Sequence, residues 1–460
     1  MIQKLILSKL LLLAFALFAA NISAQIVAPT TEIATKVDEY MAARADVRGF
    51  GGSVLVAKDG RTVVAKGYGI ADFENNTPIT PDTKFRIGSI TKQFTAASIL
   101  LLQEKNKLSV QDSICKYLES CPEAWRPVTI HNLATMTSGI PSFTNVPDFR
   151  NLRFKDMTPA ESVALVKDKP LNAKPGEKFE YSNTNYVLLG IVIEKVSSKS
   201  YEKFLTDNIV KPLNLKDTGY DHGKQSLSRA ALGYTIRDEK LAPADKISMM
   251  VPYAAGGMYS TTGDLYKWQA ALFRGRVFKK KETLDAMLTP NKGNYAYGLR
   301  VVNEDSGRKR IAHGGGIEGF VSEAAYFPDE KVFIVVLINN DNGGATNAIR
   351  DLNAIYFGRP YSVPKKRVAI KVDAALLDTY VGEYKLGEGM IFKIERSEDG
   401  LTFEPTGQRK IPLFAETDTF FFLTVVDATV KFLKDETGNV TALEFSQSGR
   451  TSEAKRIGSN

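Results

Sequence analysis

The first strongly patterned stretch of the chain pairs two β-rich runs, 52–58 and 62–70, across Asp59-Gly60, a dipeptide favoured in two-residue hairpin turns. A β-hairpin is predicted there. From Ser89 to about Leu288 the spacing becomes mostly helical. Ile90, Phe94, Ala97 and Leu101 fall on one face of a first helix, and helix-like patterns recur at 186–197, 201–209 and 262–272. Strand-like runs return at 297–302, 319–327 and 332–339, and a helical run follows at 345–357. The simplest architecture with that order is an antiparallel sheet built from both ends of the segment, flanked by helices and interrupted by a large helical insertion. The predicted class is α/β in the α+β sense.

The periodicity breaks at 359–371, where Pro360, Pro364 and several basic residues predict a linker. Beyond it, short β-rich runs at 380–384, 390–394, 401–404, 420–425, 429–433 and 440–445 are separated by turn signals such as Asp399-Gly400 and Gly438-Asn439. That rhythm predicts a small antiparallel sheet or barrel over 372–460. The preceding domain is assigned to 25–358.

Composition narrows the class. The chain has 460 residues, 43% hydrophobic and 24% charged, enough for two or three domains with a sizeable core and unlike a disordered chain. Only 2 Cys and 19 Pro exclude a small disulfide scaffold and a collagen-like fibre. A net charge of +8 and a pI near 9.1 raise the question of a nucleic-acid partner. The basic residues are dispersed, with no block longer than Lys279-Lys280-Lys281, so they read as a solvated surface and no nucleic acid is expected.

The N-terminus has the layout of a secretory signal. Lys4 and Lys9 precede an apolar run, 10–20, and the small residues Ser23 and Ala24 mark a cleavage point before Gln25. The run is too short to serve comfortably as a membrane anchor, and no later segment approaches the roughly 20 apolar residues a span needs. The expected protein is exported, periplasmic or secreted, with residues 1–24 removed and no integral membrane segment left. In an oxidising compartment thiols tend to pair, so Cys115 and Cys121 favour a disulfide over two unpaired buried thiols. His131, His222 and His313 are scattered with no zinc-ligand spacing, so neither a metal nor another cofactor is expected.

Ser-x-x-Lys is chemically meaningful on a helix, where positions i and i+3 share a face and an amine can take a hydroxyl proton. The chain carries it six times, beginning at Ser89, Ser113, Ser200, Ser306, Ser362 and Ser452, and a Ser that opens a helix is by default a cap. Ser89 differs in context. It starts the long apolar-faced helix and puts Lys92 in the first turn, an unfavourable place for a cation unless it has other work. Tyr181-Ser182-Asn183, the only Tyr-x-Asn, stands between a turn at 174–177 and a helix expected near Tyr186. His313-Gly314-Gly315-Gly316 lies between predicted strands, where a ligand could lie against bare backbone or the glycines could form a flexible hairpin.

Together with Phe85-Arg86-Ile87-Gly88 before Ser89, Leu133-Ala134-Thr135-Met136-Thr137-Ser138-Gly139-Ile140-Pro141 and Gly256-Gly257-Met258-Tyr259-Ser260, these motifs stand in family order. Over roughly residues 35–355 the chain resembles the penicillin-recognising serine hydrolases: class C β-lactamases, D-aminopeptidases, DD-peptidases and related esterases. The resemblance implies a β-lactamase-like fold in which Ser89 attacks an acyl carbon and Lys92 and Tyr181 share the proton work. It also implies that Asn183 orients substrate and Lys92, and that Gly315 and Gly316 border the substrate. The backbone N–H groups of Ser89 and Gly316 would hold the oxyanion. The chain departs from the β-lactamases at His313, where they usually carry the Lys of Lys-Thr-Gly; a neutral His attracts a carboxylate less. Met136 stands where many relatives have His and is assigned to packing. Residues 380–384 and the strand rhythm resemble a lipocalin-like C-terminal domain.

The expected function is a serine hydrolase forming an acyl-enzyme on peptide, amide or ester substrates, leaning to peptidase or esterase. Its partner is a small molecule or peptide, with cell-wall fragments among the candidates. A class C-like β-lactamase and a non-catalytic β-lactam or cell-wall-peptide sensor are the alternatives. No Gly-x-Ser-x-Gly elbow supports an α/β-hydrolase. Neither the natural substrate nor the oligomeric state is specified at this level.

Overall fold

A computed structural model describes residues 30–47, 51–223, 227–237, 240–342, 344–387, 389–398, 400–424, 428–447 and 450–458; the leader read at 1–24 lies outside the described residues. A helix, α1 (Thr30–Asp46), precedes the hairpin that the pattern put first. Its Ile33, Val37, Tyr40 and Met41 recur at helical spacing and are all buried. Strands β1 (Gly52–Lys58) and β2 (Arg61–Tyr68) follow. They turn through Asp59 (φ +49°) and Gly60 (φ +81°), the pair of left-handed residues that a type I′ hairpin requires.

The insertion contains α2 (Thr91–Glu104), α3 (Asn183–Ser197) and α4 (Thr262–Phe273). The chain then returns as β3 (Arg300–Asn303), β4 (Lys309–Ile317), β5 (Phe320–Phe327) and β6 (Val332–Ile338), closed by α5 (Ala345–Tyr356). The sheet runs β3-β4-β5-β6-β1-β2. Its pairs are antiparallel, and β1 meets β6 from Gly52↔Ile338 to Lys58↔Val332, so strands from both ends of the domain are neighbours.

Side-chain alternation along β6 divides the core. Phe333, Val335 and Leu337 join the cluster around α2, α3 and α4, whereas Val332, Ile334, Val336 and Ile338 pack under α1 and α5. Burial on both faces explains why β6 reads as an unbroken apolar run. Helix α2 is buried from Thr91 to Leu102, so it is the central helix and not an amphipathic surface one.

One expectation is corrected here. His313, Gly314, Gly315 and Gly316 do not form a loop between strands; they belong to β4 and pair with Ala324, Glu323, Ser322 and Val321 of β5. Ladder bonds to β5 hold the glycines extended despite their freedom. Helix α3 likewise starts at Asn183, three residues before the expected Tyr186.

Residues 359–373 have no regular secondary structure. Then Asp373 caps a short helix, α6 (Ala374–Tyr380), by accepting from Ala375 N–H at 2.8 Å. Eight antiparallel strands close a barrel: Gly382–Leu386, Met390–Ser397, Gly400–Pro405, Ile411–Ala415, Phe420–Phe422, Ala428–Lys434, Val440–Gln447 and Arg450–Ile457. Tyr380 therefore ends a helix instead of beginning a strand. The interior is filled by a separate core that includes Tyr384, Phe392, Phe403, Phe421 and Phe432.

A disulfide joins Cys115 and Cys121 across a separation of six residues. Alkylating the denatured, unreduced protein should label no thiol. Reduction should cost about 2 kcal/mol of stability on the chain-entropy view, read as a lowered midpoint in denaturant. Two labelled thiols would exclude the bond.

Candidate active site

Ser89 sits in a single 3₁₀ turn, Gly88–Ile90, that runs directly into α2. The turn lies against β4 so closely that two side chains are forbidden. A Cβ on Gly88, which has φ +49°, would come within 2.9 Å of Gly316 N; a Cβ on Gly315 would lie 2.0 Å from the Ile87 carbonyl oxygen. Gly316 has open space at the corresponding position and is exposed, so its backbone borders the cleft. Ser322 Oγ donates to the Ile87 carbonyl at 2.9 Å and ties β5 to the same turn.

Lys92 follows one turn later and is fully buried. Its Nζ lies 2.8 Å from Ser89 Oγ, 2.9 Å from Asn183 Oδ1 and 2.7 Å from the Ala255 carbonyl oxygen. Burial, with no carboxylate beside it among the described residues to compensate, pushes the amine well below the usual lysine range. The Tyr181 hydroxyl donates to Ser89 Oγ at 2.9 Å. Burial raises this phenol to about 12, opposed by the Ser89 hydrogen bond and the positive charge of Arg300, so it is protonated at neutral pH.

Met136, assigned only to packing, holds the Tyr181-Ser182-Asn183 segment. Its carbonyl accepts from Glu180 N–H at 2.8 Å, and its sulfur accepts from Ser182 N–H at 3.4 Å and Asn185 Nδ2 at 3.6 Å. Met136 adopts φ +57°, unusual for a non-glycine residue. Asn183 is fixed from the other side, its N–H donating to Ser142 Oγ at 3.0 Å and its Nδ2 to Thr144 Oγ1 at 3.3 Å.

His313 lies in the wall, 7% exposed. Its Nε2 meets the Tyr295 hydroxyl at 2.9 Å and its Nδ1 meets the Gly314 carbonyl oxygen at 2.5 Å. A carbonyl only accepts, so Nδ1 carries the proton and Nε2 accepts from Tyr295. Burial, reinforced by the nearby Lys92, pushes the ring down to about 3, so it is neutral. With both nitrogens engaged, the ring is a support for Tyr295 and not an open contact for a substrate.

The structure thus brings Ser89, Lys92, Tyr181 and Asn183 together and sets Gly315, Gly316 and His313 along the adjoining strand. Two other Ser-x-x-Lys copies are caps: Ser113 Oγ accepts from Cys115 N–H and Ser200 Oγ from Lys203 N–H. Sequence reasoning missed the Ala255 carbonyl and Met136, the first because a backbone acceptor has no residue signature. Among the described residues, no group of three or more His, Cys, Asp or Glu could hold a metal, and no helix is long and apolar enough to cross a membrane.

The family model described as beta-lactamase matches residues 33–356. The chain belongs to the beta-lactamase family. It is 28% identical over 411 residues to penicillin-binding protein 4* of Bacillus subtilis, covering 84% of this chain and 91% of that one. It is 30% identical to protein flp of Staphylococcus aureus, covering 66% of this chain and 62% of the relative. Among solved structures, the octameric penicillin-binding protein homologue from Pyrococcus abyssi superposes with a TM-score of 0.65 at 29% identity, covering 93% of this chain and all of that one. A D-stereospecific amidohydrolase from Streptomyces sp. gives 0.62 at 26% identity, over 71% of this chain and 99% of that one. A second model, for a domain of unknown function (DUF3471), matches 366–456. That match lends no support to the lipocalin likeness of the barrel.

Proposed function

We propose that this beta-lactamase-family protein is an exported serine hydrolase that works through an acyl-enzyme on peptide, amide or ester substrates. The observation that carries the reading is Ser89 Oγ held between Lys92 Nζ at 2.8 Å and the Tyr181 hydroxyl at 2.9 Å. Hydrogen-bond bookkeeping gives each group a role. A neutral Lys92 amine has two N–H groups and one lone pair. Asn183 Oδ1 and the Ala255 carbonyl only accept, so they take both N–H groups and leave the lone pair for the Ser89 hydroxyl proton. Ser89 Oγ, receiving a hydrogen bond from Tyr181, then attacks the acyl carbon as its proton passes to Lys92.

The backbone N–H groups of Ser89 and Gly316 would receive the developing oxyanion, each donor contributing about 3 kcal/mol of transition-state stabilisation. Tyr181, kept protonated by its raised pKa, is placed to supply the leaving group with a proton. The proton that Lys92 took from Ser89 then returns to Tyr181, which restores the neutral amine, and water attacks the acyl carbon in a second step, its proton passing to Lys92 and on to Ser89 Oγ as the acyl group leaves. The neutral His313, where β-lactamases usually carry a cation, favours peptide or ester substrates over β-lactams. The similarity to an amidohydrolase also supports amide chemistry. Export rests on the leader-like residues 1–24 and is supported by the disulfide, a bond that persists in oxidising compartments.

Intact-mass measurement after incubation with a fluorophosphonate, and separately with benzylpenicillin, tests this reading. The expected result is one fluorophosphonate adduct and a penicillin adduct that is absent or decays. A lasting penicillin adduct without ester or amide turnover would favour the sensor, and no adduct with either probe would overturn the acyl-enzyme. The spectrum of exported protein also shows whether the chain begins near Gln25.

A further inference from the structure

Large apolar side chains left to solvent are unevenly spread along the chain. Among the described residues six stand out, and three of them, Val363, Val368 and Ile370, belong to the segment that joins the two domains, with exposures of 39%, 70% and 46%. The others are separate in sequence, and two of those have a partner: Phe73 packs edge-on to Tyr234 at 4.9 Å, and the Arg153 guanidinium lies 4.9 Å from the Phe154 ring.

Charge gathers on the same segment. From Arg359 to Val372 the chain carries five basic residues and no acid. Arg359 pairs with Glu304 at 3.9 Å and Arg367 with Glu416. Lys365, Lys366 and Lys371 are exposed and have no carboxylate partner among the described residues. Asp373, the next acid along the chain, is committed to capping α6.

Both ends of the segment are tied down. Tyr361 packs edge-on to Tyr40 of α1 at 6.2 Å. On the barrel side the Arg367 guanidinium lies 5.1 Å from the Phe420 ring, and Ile370 N–H donates to the Ala415 carbonyl at 2.9 Å. The backbone is thus held while Val368 and Ile370 face water beside unpaired lysines.

Two kinds of occupant fit poorly. A second copy packed patch to patch would oppose the same lysines, and a soluble polyanion would pair them while leaving the aliphatic side chains wet. An anionic lipid surface meets both needs, with phosphates for the lysines and the acyl boundary for the valine and isoleucine. We propose that residues 363–371 dock this protein on an anionic membrane surface, as a peripheral protein held by the segment between its domains. The proposal does not depend on the chemistry at Ser89.

Co-sedimentation at low salt tests it, using protein purified after expression of the full chain. Vesicles of equal parts phosphatidylglycerol and phosphatidylcholine should carry the protein down, vesicles of phosphatidylcholine alone should not, and salt should release it. Lys365→Gln, Lys366→Gln and Lys371→Gln together should weaken partition about 100-fold, at about fivefold for each lysine near an anionic surface. Val368→Ser with Ile370→Ser should cost about 10-fold, the scale of withdrawing two partly inserted aliphatic side chains. Both variants change exposed side chains only, so their thermal midpoints should match the wild type. Pelleting with neither vesicle, equally with both, or without any lipid overturns the proposal, as does binding that persists in the lysine variant. An association that needs the lysines but ignores the serine pair, and that dextran sulfate competes away, also overturns it and marks a site for a soluble polyanion.

Discussion

Ser89→Ala should give a folded protein that takes up no fluorophosphonate and loses hydrolysis by about 10⁶-fold, the scale seen when a serine hydrolase loses its nucleophile. The fold should survive because the change removes one hydroxyl oxygen and no packing. Lys92 keeps two of its three partners, Asn183 Oδ1 and the Ala255 carbonyl, and Gly88 and Gly315 keep the close approach of turn to strand. Near-ultraviolet circular dichroism and the thermal midpoint should therefore match the wild type. An Ala variant that still gained the adduct mass would move the nucleophile elsewhere. The five other Ser-x-x-Lys serines would be the first candidates, but Ser113 and Ser200 are occupied as caps.

That one copy among six could be picked out shows what a sequence carries well. Ser89 and Lys92 are one helical turn apart, so their meeting is local, and the helix they open is marked by its apolar spacing. The two-ended sheet was legible for a similar reason: β1, β5 and β6 are long, apolar and bounded by turn residues. Less was legible where the cause is tertiary. The glycines of β4 look like a loop because the reason for them, the Ile87 carbonyl that a Cβ on Gly315 would strike, lies more than 200 residues away. In the barrel, the strand Ile411–Ala415 was hidden by Pro412, and Arg450–Ile457 by its charged residues; over 451–457 only Ala454 is buried. Helix α1 was overlooked although Ile33, Val37, Tyr40 and Met41 carry its period; its partner, Asp351 on α5, receives the Tyr40 hydroxyl hydrogen bond at 2.7 Å from 311 positions along the chain.

Proton transfer is divided between Lys92 and Tyr181, and the pH dependence separates them. Burial lowers the lysine and raises the tyrosine, so between the two values the amine is neutral and the phenol protonated. Only the neutral amine has a lone pair for the Ser89 proton. The acylation rate should accordingly be low at acid pH, rise with slope one as pH passes the lowered Lys92 value, and hold a plateau until the phenol begins to ionise near 12. Tyr181→Phe removes the hydroxyl and keeps the ring that packs against Tyr295 and shields Lys92. Ester hydrolysis should drop by about 10²- to 10⁴-fold, the usual cost of losing a positioned proton donor or acceptor. The acid limb should stay where it was, because it belongs to Lys92 and the burial that depresses it is unchanged. If the limb vanished with the hydroxyl, a Tyr181 phenolate would be the base and the assignment would reverse. A rate within about threefold of wild type would remove Tyr181 from the proton path altogether, leaving Lys92 to serve both half-reactions alone.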